Sequence, residues 1–249
     1  MSTESAYRDQ MVDVCHRLAA RGFTPATDGN VSVRLPDGMF LATRTSVNKG
    51  EVTADDLVLV DASGASRTPG IGASTEIGMH LFIYAQRPDI GAVVHAHPPY
   101  ATGFAAARQD LTGCVLPEVI VGLGSVPLAE YATPSTSEVA RSLEPFVASS
   151  HAILLANHGV VTFGKSLREA YFKMEKVEHA AQVTFVARML GGERLLSTAD
   201  LDRLRSVSGS AYARELPPDP CATAPEGPEA EDAVRDIVRE MLNIVPRGK

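Results

Sequence analysis

Apolar positions set the first element: Tyr7, Met11, Val14, Cys15 and Leu18 follow Ser5 at helical spacing, with Gly22 as a stop. The period then shortens. The stretches "TDGNVSVRL", "MFLAT" and "DLVLVD" are brief apolar or alternating runs bounded by Gly, Pro, Asp and Ser, the pattern of strands joined by turns. Helical spacing returns over residues 75–87 through Ile77, His80, Leu81 and Tyr84 and ends before Pro88. Residues 91–97, "GAVVHAH", then predict a strand, followed by a helix near 100–107, a short strand near 119–121 and a helix near 135–147. The runs "AILLAN" and "GVVTF" predict two more strands split by "HG". Residues 166–190, free of Pro and rich in Ala, Glu, Lys and Val, predict the longest helix up to Leu190.

Strands and helices alternate without regular βαβ units, and several strands are joined by short turns. The expected fold is therefore α/β, in α/β/α layers, with a central mixed, mainly antiparallel sheet flanked by helices. Composition shifts at "ELPPDPCATAPEGPEAE", which is dense in proline and poor in apolar residues. The expected organisation is a main domain over residues 1–215, a Pro-rich linker over 216–230 and an amphipathic C-terminal helix over 231–249. Val234, Ile237, Val238, Met241 and Leu242 form the apolar stripe of that helix.

Composition narrows the partners. A chain of 249 residues, 45% hydrophobic and 21% charged, has enough apolar material for a core of one domain plus an appendage. Its formal charge of −7 argues against nucleic acid, whose binding rests on basic side chains that neutralise phosphates. The three cysteines, Cys15, Cys114 and Cys221, are odd in number and lack C-x-x-C spacing. No apolar window approaches the roughly 18 residues of a membrane span, and the N-terminal stretch has no signal-like core, so the expectation is a cytoplasmic protein without a membrane partner.

Two histidines close the strand at 91–97. Side chains at i and i+2 of a strand share a face, so His95 and His97 can present two imidazoles together, in a geometry suited to a metal or to simple hydrogen bonding. Catalytic zinc sites take three protein ligands and keep a position open. His158 is the natural third candidate, because "AILLANHGVV" places it at the end of an apolar strand beside a turn at Gly159. Glu76 opens the helix that precedes the histidine strand, where a carboxylate is favoured by the helix dipole and can serve as a cap partner. Ser74 and Thr75 add hydroxyls to backbone N–H groups at that helix start, a combination that suits an anion. Gly29 with Asn30, and Thr45 with Ser46, are further turns bearing small polar groups.

The order "GN", "TRTS", "STE", "HAH", "NHG" along the chain, together with "GNVSVR", "RPDIGAVVHAH" and "YAT", resembles the class II aldolase/adducin family over residues 5–205, in particular its L-fuculose-1-phosphate aldolase branch. The resemblance implies a homotetramer with fourfold symmetry and active sites at subunit interfaces. It implies Zn²⁺ on His95, His97 and His158, with Mn²⁺ or Co²⁺ as substitutes, and Glu76 as acid/base. It further implies a phosphate pocket drawn from Gly29, Asn30, Thr45, Ser46, Ser74 and Thr75, with Glu118 and Tyr212 as neighbour-subunit contacts. Ser46 stands where the fuculose-phosphate enzymes have glycine. Pro117 and Glu118 stand in the region of a neighbouring subunit's tyrosine. The implied activity is aldol cleavage of a ketose 1-phosphate to dihydroxyacetone phosphate and an aldehyde. The alternative is a metal-dependent decarboxylase or dehydratase acting on a hydroxy acid or sugar phosphate, and a non-catalytic adducin-like module ranks last.

Overall fold

The computed structural model describes residues 3–211. The expected linker and C-terminal helix, and Tyr212, lie outside the described residues. Among the described residues there are seven α-helices and seven strands. They are α1 (Thr3–Ala20), β1 (Asn30–Arg34), β2 (Phe40–Thr43), β3 (Leu57–Val60), α2 (Ile77–Gln86), β4 (Ala92–Ala96), α3 (Pro99–Ala106), α4 (Pro117–Gly122), β5 (Leu128–Ala129), α5 (Ser137–Leu143), β6 (Ala152–Leu155), β7 (Gly159–Gly164), α6 (Leu167–Met189) and α7 (Thr198–Ala211).

The strands form one sheet in the order β3-β2-β1-β4-β7-β6-β5. Every neighbouring pair is antiparallel except β5 with β6. The expected mixed, mainly antiparallel sheet is therefore the observed one.

Strand periodicity sorts the core into two layers. Val31, Val33, Ala92, Val94, Ala96 and Leu154 face one side and pack with α1, α3 and α6 through Met11, Leu18, Phe104, Met174 and Val177. Val58, Val60, Val93, Ile153, Val161 and Phe163 face the other side and meet α2 and α5 through Met79, Ile83, Tyr84 and Leu143. Because β4 runs through the middle of the sheet, its residues are buried on both faces, and its polar member His95 is as buried as its valines.

The reading of 119–121 as a strand is corrected: Val119, Ile120 and Val121 lie in helix α4. Pro117 occupies the first helical turn after the extended Leu116, where a missing N–H costs nothing, so the β-branched run was outvoted by its start signal. The short β5 and helix α7 were not expected from the sequence. Ser197 and Asp200 cap α7 reciprocally, each side chain accepting from the other's backbone N–H at 3.2 Å. Among the described residues no helix is long and apolar enough to cross a membrane.

A buried polar group ties β1 to α2. The Ser32 hydroxyl lies 2.7 Å from His80 Nδ1 and 2.9 Å from the Tyr84 hydroxyl, and His80 Nε2 is buried without a hydrogen bond. Burial drops the His80 pKa from 6.5 to about 3. The unfolded chain thus takes up this proton first, so the stability that depends on neutral His80 is complete above about pH 6.5 and drains as pH falls toward about 3. Urea midpoints should decline less steeply between about pH 7 and pH 5 in His80→Gln than in wild type. Equal slopes would show that another group sets the acid limb.

Candidate metal centre

Three backbone segments meet beyond the end of β4. β1 pairs Asn30 with His95, and β7 pairs Val161 with His95 and Val160 with Ala96. The β6–β7 hairpin turns through Asn157, whose φ is 55°, and the His158 N–H donates to the Leu155 carbonyl at 3.0 Å. That turn swings His158 beside His95 and His97. Ring centroids lie 5.0 Å apart for His95–His97, 4.7 Å for His95–His158 and 5.1 Å for His97–His158. One ligand atom from each of the three lies within 4.8 Å of the others. The sequence-based triad is thus brought together.

The protonation logic favours a cation. His95 Nδ1 lies 2.9 Å from the Val160 carbonyl, and His97 Nδ1 lies 3.2 Å from Asp28 Oδ2. The Val160 carbonyl can only accept, so His95 Nδ1 carries the hydrogen and its Nε2 presents a lone pair toward the Nε2 of His97. Those two Nε2 atoms are 3.1 Å apart. Ring nitrogens at that separation share a proton or a cation. Burial first, then the imidazoles of His158 and His97, holds His95 well below the usual histidine range, so its ring is neutral. Burial likewise lowers His158, against the opposing pull of Glu76. Three imidazoles converging from a rigid sheet suit a divalent metal of the zinc type.

Glu76 is the residue before α2 and not its first turn: it holds the N-cap position with φ −93° but makes no side-chain cap hydrogen bond, and its N–H donates to the Ser74 hydroxyl at 3.3 Å. Its Oε2 accepts from Asn30 Nδ2 at 2.8 Å and stands 3.4 Å from His95 Nε2, while Oε1 stands 3.3 Å from His158 Nε2. Oε1 and Asn30 Oδ1 are both buried without a hydrogen bond. A carboxylate on two ligand nitrogens, with polar valences left over, is placed to exchange a proton with a molecule bound at the centre.

The other expected site residues divide. Asn30 donates to Glu76 through Nδ2. Gly29 has φ 73°, and a Cβ there would lie 2.8 Å from the His95 carbonyl, so the turn closes on the histidine strand only as glycine. Thr45 and Ser46 are exposed on a loop stitched to the Ser74 loop: Thr45 N–H donates to Gly72 and Ser74 N–H donates to Thr43. Thr75 shares a 2.7 Å hydrogen bond with Ser135. Ser46 keeps φ 55° although it is not glycine. Glu118 is exposed on α4, apart from the triad, with its carbonyl accepting from Lys176.

Sequence reasoning missed Lys49 and Asp28. Lys49 is almost fully buried, and its ammonium donates to the carbonyls of Thr27 at 2.8 Å and Val47 at 2.7 Å, which fastens the two turns together. A lysine in "VNKGE" carries no sign of burial, and Asp28 in "TDGN" reads as an ordinary turn residue.

Gly159 tests the geometry. A Cβ there would stand 2.6 Å from His97 Cδ2 and 2.7 Å from the Ala96 carbonyl. We expect Gly159→Ala to fold with reduced metal content and His97→Ala to lose stoichiometric zinc, both read by elemental analysis after dialysis. Zinc retained at one equivalent in His97→Ala would contradict the triad.

A profile of the family described as Class II Aldolase and Adducin N-terminal domain matches residues 9–185. The chain is 34% identical over 209 residues to the 3-oxo-tetronate 4-phosphate decarboxylase of Escherichia coli K12, spanning 82% of this chain and 97% of that one. It is 34% identical over 182 residues to an L-fuculose phosphate aldolase of Methanococcus maripaludis, spanning 73% and 97%. A solved L-fuculose 1-phosphate aldolase superposes with a TM-score of 0.73 at 30% identity, covering 79% of this chain and 93% of that one. With its histidine triad on the same kind of sheet, and the family profile matched over most of its length, the chain belongs to the class II aldolase and adducin family.

Proposed function

We propose that this protein is a metal-dependent carbon–carbon lyase that decarboxylates a phosphorylated 3-oxo sugar acid. The observation that carries it is the Glu76 carboxylate set against two nitrogens of the histidine triad. The decarboxylases similar to this chain, matched over more of it than the fuculose phosphate aldolase, support this substrate class above the ketose phosphate that the motif order first suggested.

When bound by His95, His97 and His158, a divalent metal such as Zn²⁺ supplies a Lewis acid that stabilises the negative charge developing on a ketone next to the breaking bond. The chain's own groups supply the rest. In a four-carbon 3-oxo acid 4-phosphate, the bond between the carboxyl carbon and C2 breaks, its electron pair stays toward C2, and CO₂ leaves. Glu76, in its acid form, gives its proton to C2 and is reprotonated from water, yielding dihydroxyacetone phosphate. Asn30 holds Glu76 so that the proton arrives on one face.

The hydroxyls of Thr45, Ser46, Ser74 and Thr75 take the phosphate, with Gly29 shaping the turn beside them. Arg44, paired with Asp56 at 2.6 Å, is fixed at the root of the same loop. The aldolase reading ends at the same product by releasing an aldehyde in place of CO₂, so the two share every group named here. Association into a homotetramer fits the exposed Phe185, Val186, Met189 and Leu190 at the end of α6, which a neighbouring subunit would cover. The domain boundary near residue 215 and the roles of Glu118 and Tyr212 as contacts from a neighbour belong to this same reading.

The deciding measurement follows dihydroxyacetone phosphate, CO₂ and aldehyde together, using 3-oxo-tetronate 4-phosphate and L-fuculose 1-phosphate in parallel. CO₂ in equal amount with dihydroxyacetone phosphate is expected from the first, and aldehyde from the second with no CO₂ from the first would overturn the decarboxylase. Glu76→Gln should lower kcat by about 10²- to 10⁴-fold while metal content is kept.

A further inference from the structure

The three imidazoles are anchored unequally. His95 is fully buried and its Nδ1 is held by a backbone carbonyl, so its orientation comes with the sheet. His97 follows the end of β4, its side chain is 19% exposed, and its Nδ1 faces a side chain, Asp28, at 3.2 Å. Asp28 sits on a turn built to stay in place. Its N–H donates to the Pro25 carbonyl, buried Lys49 grips the carbonyl of Thr27, and Gly29 closes against the His95 carbonyl. A turn with Ala26 at φ 49° and Gly29 at φ 73°, held on three sides, delivers one carboxylate to one ring.

We propose that Asp28 is the positioning residue of the metal centre: its carboxylate accepts the Nδ1 hydrogen of His97, fixes the tautomer that turns Nε2 toward His95 and His158, and thereby sets the affinity for a divalent cation. The inference rests on the reading of the triad as a metal site. A carboxylate on the far nitrogen both stops the ring from rotating and raises the basicity of the ligating nitrogen. Asp28 is 48% exposed on its loop, so replacing it leaves the core intact.

The test measures Zn²⁺ affinity of the full chain by competition with a chromophoric chelator, without any substrate. Asp28→Ala should bind Zn²⁺ about 10- to 100-fold more weakly than wild type. Asp28→Asn, which keeps an oxygen acceptor and loses the charge, should recover most of that loss. The Co²⁺ absorption spectrum should broaden in Asp28→Ala and return toward the wild-type shape in Asp28→Asn. Unchanged affinity in Asp28→Ala would overturn the proposal, and so would equal losses in the two variants, because a carboxylate acting only by charge does not position the ring. His97→Ala separates this result from the reading beneath it. If that variant also binds Zn²⁺ at wild-type affinity the metal centre itself is wrong, whereas collapse in His97→Ala with no change in Asp28→Ala removes only the role of Asp28.

Discussion

The antiparallel register of β4 between β1 and β7 decides where chemistry can occur. It sets His95 opposite Asn30 on one side and Val161 on the other. One strand thereby receives the residue that steers Glu76 and, through the Val160 carbonyl one position along, the acceptor that fixes the His95 tautomer. Side chains alternate along a strand, so a slip of one residue would turn His95 and His97 to the α1 and α6 face, away from Glu76. The packing of Val93 and Val161 against α2 and α5 holds that register.

Close approach is the second requirement. Three imidazoles meet only because backbones from two turns come within van der Waals distance of the histidine strand. Gly29 lies against the His95 carbonyl, and Gly159 lies against the Ala96 carbonyl and the His97 ring. No side chain fits at either point. Burial then does electrostatic work, since it disfavours the charged form of His95 and of His158. The same burial leaves Glu76 Oε1 and Asn30 Oδ1 without hydrogen bonds, so the centre is polar, preset and short of partners of its own.

This arrangement also explains why a family with one scaffold includes relatives named for different reactions. A metal that stabilises charge next to a ketone and a carboxylate that moves one proton serve any cleavage which leaves electrons on the adjacent carbon.

The sequence by itself determined the elements with a clear period and the residues that chemistry needs in fixed spacing. His95 and His97 were legible as i and i+2 on a strand, His158 as a turn residue after an apolar run, and α6 as an uninterrupted helix. These are local facts, readable because a strand alternates its side chains and a helix repeats near every fourth residue. Helix α4 was misread because six residues are too few for the period to outweigh β-branched composition, and its proline start signal was the better guide. Only the tertiary structure decided that Asn30 serves Glu76, that Asp28 faces His97 and that Lys49 binds two turns from inside the core. Each of those contacts joins segments separated by 20 residues or more, except the short Lys49–Val47 bond, and such separations leave no periodic trace. They exist because the sheet's register brings distant turns to one edge, and register is a property of packed strands rather than of any stretch of sequence.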